Sequence, residues 1–190
     1  MIEEYAVYIA IKGSLHASDC HGESCNHSNC TNVNRSVCQT LSEMDWERGL
    51  WGAAYNGELD KVKSLIEKSK DSRTAVNTPD NSGYSPLHYA ARGGHVDICK
   101  ILLANRAQID AQTRSGKATP LHKAAAAGKQ ATLELLIKSG AQVDIQDADG
   151  QTALHKAVYN KRMGLIDILK KACPDIQHIK DGKGRLALEE

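Results

Sequence analysis

Asp80-Asn-Ser-Gly-Tyr-Ser-Pro-Leu-His-Tyr-Ala-Ala-Arg-Gly-Gly-His, then Val96-Asp-Ile-Cys-Lys-Ile-Leu-Leu and Ala107-Gln-Ile-Asp-Ala-Gln, decides the fold because the chain repeats it. The pattern restarts at Thr113-Arg-Ser-Gly, with Thr119-Pro-Leu-His-Lys-Ala-Ala, Leu133-Glu-Leu-Leu-Ile and Gly140-Ala-Gln-Val-Asp. It restarts again at Asp147-Ala-Asp-Gly, with Thr152-Ala-Leu-His-Lys-Ala and Leu165-Ile-Asp-Ile-Leu. A period of about 33 residues marks stacked units, each burying its apolar face against the next.

Each unit reads as a hairpin followed by two helices. Ser85, Thr119 and Thr152 are placed to N-cap the first helix. Pro86 and Pro120 follow at the first helical position, where a missing N–H costs nothing. Leu87, Ala90 and Ala91 lie at i, i+3, i+4 and form the buried stripe, small enough for close helix approach. Gly83, Gly116 and Gly150 punctuate the preceding hairpins, where positive φ is expected. The second helices contribute Val96, Cys99, Leu102 and Leu103, then Leu133, Leu136 and Ile137. Cys99 and Cys173 read as small packing residues. His88, His122 and His155 recur once per unit. A metal ladder is one reading. A buried imidazole bonded to the hairpin of its own or a neighbouring unit is the better one, since buried polar groups need partners.

The Thr-Pro-Leu-His-x-Ala grammar resembles the ankyrin-repeat family over residues 46–190. The resemblance implies an all-α ankyrin-repeat solenoid, with stacked helix–turn–helix units and β-hairpin loops. Residues 1–40, rich in Cys, His, Asn and Ser, read as a flexible tail. The repeat domain takes residues 41–190: a cap repeat 46–79, repeats 80–112, 113–146 and 147–180, and a partial repeat 181–190. In the cap, Trp51-Gly-Ala-Ala-Tyr-Asn-Gly-Glu matches a first helix and Leu59-Asp-Lys-Val-Lys-Ser-Leu-Ile a second. Ser42 or Asp45 is placed to cap the segment leading in. Ser69 to Thr74 lengthens the exit loop. In the fourth repeat Lys161-Arg162 replaces the Gly-His turn, and Pro174 should end the second helix. Asp181 opens a fifth repeat that stops inside its first helix, so either the sequence is truncated or this end frays.

Composition narrows function. The 190 residues carry a net charge of +1, which provides no global basic field for nucleic acid. No run of 18 apolar residues is present, so no membrane span is expected. The N-terminus lacks the basic start and long apolar core of a signal peptide. An intracellular protein, cytoplasmic or nuclear, is the expectation, and Asn26, Asn29 and Asn34 are then idle as glycan acceptors. No Gly-x-Ser-x-Gly, phosphate-cradling loop or His-Glu-x2-His occurs, so no enzyme is expected.

One constellation lies outside the repeats: Cys20, Cys25, His27 and Cys30, with Cys38 beyond. These four would supply one tetrahedral zinc. A solvated tail of reduced thiols and a disulfide role are the alternatives. No other cofactor is expected.

In ankyrin modules the hairpin tips and the outward positions of the first helices line a concave binding surface. The resemblance therefore maps a partner site onto Trp51, Tyr55, Tyr84, Tyr89, Arg92, Arg114, Lys117, Lys123, Lys156 and Tyr159. Repeats two to four give five basic side chains here against one acidic, Asp149. Tyr89, Lys123 and Lys156 hold one position in successive repeats and form a row, Tyr89 for apolar contact and the lysines for carboxylates. The implied activity is protein binding by a monomer, with a partner that carries an acidic or amphipathic segment. A recruiting or scaffolding subunit of a ubiquitin-ligase assembly and an inhibitor that occludes an enzyme or transcription factor are the alternatives. Nucleic-acid binding is set aside on the near-neutral charge and the lack of a recognition helix.

Overall fold

The computed structural model describes residues 49–188, and the tail, with Cys20, Cys25, His27 and Cys30, lies outside them, as do Ser42 and Asp45. The cap repeat gives α1 (Leu50–Asn56), α2 (Leu59–Lys68) and α3 (Ser72–Asn77). Repeats two to four give α4 (Pro86–Gly93) and α5 (Val96–Ala104), α6 (Pro120–Ala127) and α7 (Gln130–Lys138), and α8 (Ala153–Tyr159) and α9 (Met163–Ala172). A 3-10 helix, Pro174–His178, follows. Among the described residues the sheet content is one bridge, Lys180 to Leu186.

These helices are 6 to 10 residues long, too short to persist alone. Packing holds them. First helices pack on first helices, α1 on α4, α4 on α6 and α6 on α8. Second helices pack likewise, α2 on α5, α5 on α7 and α7 on α9. The solenoid of the ankyrin expectation is therefore present. The core is a continuous ladder of Leu87, Leu121 and Leu154, with Ala90, Ala91, Ala124, Ala125 and Ala157 between the first helices, all buried. The second helices add Cys99, Leu102, Leu133, Leu136 and Leu169. Val96, Leu103 and Ile137 are half-buried, whereas Ile98 is 2% exposed and joins the core instead.

The expected caps are in place, and they involve the histidines. Ser85, Thr119 and Thr152 each form a capping box with the histidine three residues on. The backbone N–H of Ser85 donates to His88 Nδ1 at 3.1 Å. The other ring nitrogen faces the Ala118 carbonyl at 3.0 Å, so Nε2 carries the proton. His122 reaches the Gln151 carbonyl at 3.0 Å, and His155 the Arg185 carbonyl at 3.3 Å, in the same way. Each imidazole thus ties its own helix start to the entry of the next repeat. No ladder of metal ligands forms among the described residues.

The hairpins interlock through backbone bonds. Arg114 N–H donates to the Ser82 carbonyl, Ala148 N–H to Gly116, and Gly182 N–H to Asp149, at 3.2, 2.9 and 2.8 Å. The last of these, with the His155 bond, seats residues 181–185 against repeat four. The alternative of a frayed end is thereby corrected for residues 181–188, and Ala187 is 7% exposed.

Two further readings are corrected and one is extended. The segment Ser69 to Thr74 is not a plain loop. Asp71 accepts from the Arg73 N–H and caps α3, which buries Val76. Pro174 ends α9 but also starts the 3-10 helix, which buries Ile176. Gly116 is not the left-handed residue of its hairpin. That hairpin closes from Thr113 to Ala118, one residue longer than Asp80 to Tyr84 or Asp147 to Gln151. The added residue, Lys117, takes the positive φ of 46° that Gly83 and Gly150 take elsewhere.

Candidate functional site

The first residue of each hairpin organises the site. Asp80 Oδ1 accepts from the Ser82 and Tyr84 N–H groups at 2.9 and 2.8 Å. Asp147 Oδ1 accepts likewise from Asp149 and Gln151, and Asp181 Oδ1 from Lys183 and Arg185. The second carboxylate oxygen is then free to take a side chain. Tyr89 donates its hydroxyl to Asp80 Oδ2 at 2.5 Å. Lys156 Nζ lies 2.7 Å from Asp147 Oδ2 and also donates to Gln151 Oε1 at 2.7 Å. Arg185 makes a two-pronged bond to Asp181 Oδ2.

These pairings set the local acidities. Burial pushes the Asp147 carboxyl up, but the Lys156 bond and charge and the Gln151 and Asp149 amides outweigh it and hold it below its usual range. The Arg185 side-chain bonds, with the turn amides, bring Asp181 down to about 2. His88 goes down to about 4, chiefly by burial, with the Lys123 charge adding to the effect. Burial also lowers His122.

Repeat three breaks the pattern. Thr113 stands where its neighbours have Asp, and its Oγ1 accepts from the Ala118 N–H at 3.1 Å, closing the turn without a charge. Lys123, the counterpart of Tyr89 and Lys156, has no carboxylate partner among the described residues. It leans back one repeat and donates to the Tyr84 hydroxyl at 2.8 Å, with Nζ 4.6 Å from the ring centroid. Tyr84 stacks on Tyr89 at 5.4 Å, and Tyr89 meets the edge of Tyr55 at 6.2 Å. The structure therefore brings Tyr55, Tyr84, Tyr89 and Lys123 into one half-buried cluster spanning the cap and repeats two and three.

The remaining mapped residues make other contacts or lie exposed. Trp51 donates its indole N–H to the Thr78 carbonyl at 2.9 Å, tying α1 to the exit of its own repeat. Arg114 donates to the Asn81 carbonyl at 3.3 Å and lies along the preceding hairpin. Arg92 and Lys117 are exposed. Tyr159 is 82% exposed and borders a cleft of about 730 Å³ with Asn160, Asp149, Lys183 and Arg185, between the hairpins of repeats four and five. Lys156, expected to await a partner's carboxylate, is corrected: Asp147 already holds it. Asp80, Asp147 and Thr113 are the residues the sequence reading passed over. The signal was available in the alignment of the hairpin starts, Asp80, Thr113, Asp147 and Asp181.

No helix among the described residues is long and apolar enough to cross a membrane. Two family descriptions match the chain: ankyrin repeats (3 copies) over residues 24–114, and ankyrin repeats (many copies) over residues 121–171. The chain is 48% identical over 92 residues to Ankyrin repeat domain-containing protein 39 of Homo sapiens, covering 48% of this chain and 46% of that protein. It is 49% identical over 74 residues to the protein of the same name from Bos taurus, covering 39% and 37%. It is 44% identical over 62 residues to Palmitoyltransferase akr1 of Schizosaccharomyces pombe, covering 33% of this chain and 9% of that protein. The match thus spans about half or less of each relative. The two matched segments together take in most of the chain and carry the capped, histidine-linked repeats described above, and the chain belongs to the ankyrin-repeat family.

Proposed function

We propose that this protein is a non-catalytic binding module that takes a protein partner on the face built from the first helices and hairpins. Ankyrin repeats generally mediate protein–protein interaction, and that supports the class. The observation that carries the reading is the cluster of Tyr55, Tyr84, Tyr89 and Lys123. Three aromatic rings and a cation, half-buried and spread over three repeats, combine the residue types that anchor interfaces. Arg92 and Lys117, exposed on the same repeats, make an acidic or amphipathic partner segment the better fit. The free thiols of Cys99 and Cys173 suit a reducing cytoplasmic or nuclear setting.

Proximity labelling with the full chain tests this. The comparison is wild type against Arg92→Glu with Lys123→Glu, both shown folded by thermal melting. The variant should lose the partners of the wild type. Recovery of the same partners at the same level would overturn the concave assignment. Roles as a ubiquitin-ligase recruiting subunit or as an inhibitor differ in the partner, and the partners recovered decide between them. The cluster Cys20, Cys25, His27 and Cys30 remains a zinc proposal. About one zinc per chain after purification without chelator, lost in Cys25→Ser, is the expected result.

A further inference from the structure

We infer that repeat three is built to receive one carboxylate from the partner, in the place that the repeats on either side fill with their own aspartate. The inference rests on the concave-face reading and narrows it to Lys123 and the vacancy beside Thr113. In repeat two the second oxygen of Asp80 is taken by Tyr89, and in repeat four that of Asp147 by Lys156. In repeat three the hairpin is closed by the single oxygen of Thr113, so the helix residue receives no anion. Lys123 is half-buried, and among the described residues its ammonium bonds to a phenol hydroxyl rather than to a carboxylate. A cation so placed is partly stripped of water yet not neutralised, and an arriving carboxylate gains more there than at a solvated lysine.

The neighbourhood favours an acid over any other group. Lys117 and Arg114 stand on the same hairpin, and Arg92 on α4, the first helix of the preceding repeat. Asp80, at the start of the preceding hairpin, has its oxygens engaged by Ser82, Tyr84 and Tyr89. The stacked Tyr84 and Tyr89 rings give an apolar flank for the residues beside the acid. The occupant is thus a protein segment that presents Asp or Glu next to apolar side chains.

The site can be closed from within. Thr113→Asp retains an oxygen for the Ala118 N–H and supplies the missing second oxygen to Lys123, as Asp147 does for Lys156. Peptides selected from a random phage-displayed library on the full wild-type chain are the probe. The selected peptides should carry an acidic residue whose replacement by Asn or Gln weakens binding at least about tenfold. The same peptides should bind Thr113→Asp and Lys123→Gln at least about tenfold more weakly, with both variants melting at or above wild type. On those two variants the acid-to-amide replacement should no longer matter. Selected peptides that lack the acid, or that bind Thr113→Asp and Lys123→Gln as they bind wild type, overturn the inference. If such peptides still lose binding to Tyr55→Ala, the concave reading survives it. If no peptide depends on any residue of the cluster, both fall.

Discussion

Acid should unfold this protein through its buried histidines before its carboxylates are touched. The His88 imidazole is fully buried, accepts the Ser85 N–H on Nδ1 and donates from Nε2 to the Ala118 carbonyl. A second proton on Nδ1 would remove the acceptor and place a charge in the core near Lys123. The folded value of about 4 therefore lies well below the unfolded 6.5. Between those two values the unfolded chain holds the proton and the folded chain does not, so falling pH favours unfolding. The stability in question is complete above the unfolded value and is lost as pH falls toward the folded one. The full loss is on the order of 3 kcal/mol, with about 2 kcal/mol gone by roughly pH 5. His122 is lowered for the same reason and adds in the same direction. Asp110, raised by burial, acts in the opposite sense only near the ordinary carboxylate range. Urea unfolding at several pH values between about 7 and 5, with NMR titration of the imidazoles in the folded state, reads both halves of this. A free energy that stays flat or rises over that interval would refute the reasoning, as would a folded His88 that titrates near 6.5.

Lys156→Glu should cost roughly 1–3 kcal/mol in urea unfolding, because it sets a second carboxylate against the 4%-exposed Asp147 side chain. Lys123→Glu at the equivalent position should stay within about 0.5 kcal/mol, and equal costs at the two sites would contradict the pairing described here. Thr132→Val should raise stability by about 1 kcal/mol, since the Thr132 hydroxyl is buried with no partner; a drop in melting temperature would mean the hydroxyl is satisfied after all. Leu121→Ala should cost about 2–5 kcal/mol, and Thr119→Ala about 1 kcal/mol through the lost cap.

The parts of the fold that depend on neighbours in sequence were legible. Caps, the N1 prolines and the i, i+3, i+4 stripe of Leu87, Ala90 and Ala91 are local, and periodicity at a fixed interval places the helices side by side. What escaped was set by single-residue departures. Asp71 starts α3 inside what reads as a loop, because a cap followed by the buried Val76 suffices for one and a half turns. The extra residue in the third hairpin moves the left-handed position from Gly116 to Lys117, which a template laid over the repeats hides. Among the site residues, register alone put Tyr55, Tyr84, Tyr89 and Lys123 on one surface. It could not tell that Lys156 is spoken for, since that depends on what stands nine residues earlier, at Asp147.

The same comparison separates stability from recognition. A repeat whose hairpin begins with aspartate binds its own helix residue and spends that side chain on the fold. A repeat whose hairpin begins with threonine closes the turn through one hydroxyl bond and leaves the helix residue for something else. Because each repeat touches only its neighbours, the exchange at one hairpin leaves the histidine ties and the leucine ladder of the others intact. The solenoid can thus tolerate an unneutralised Lys123 at its centre while Asp80 and Asp147 hold the repeats on either side. The cost of the vacancy is confined to one repeat, and the flanking tyrosines, themselves fixed by Asp80 and by ring stacking, hold Lys123 at a defined point rather than letting it wander in solvent.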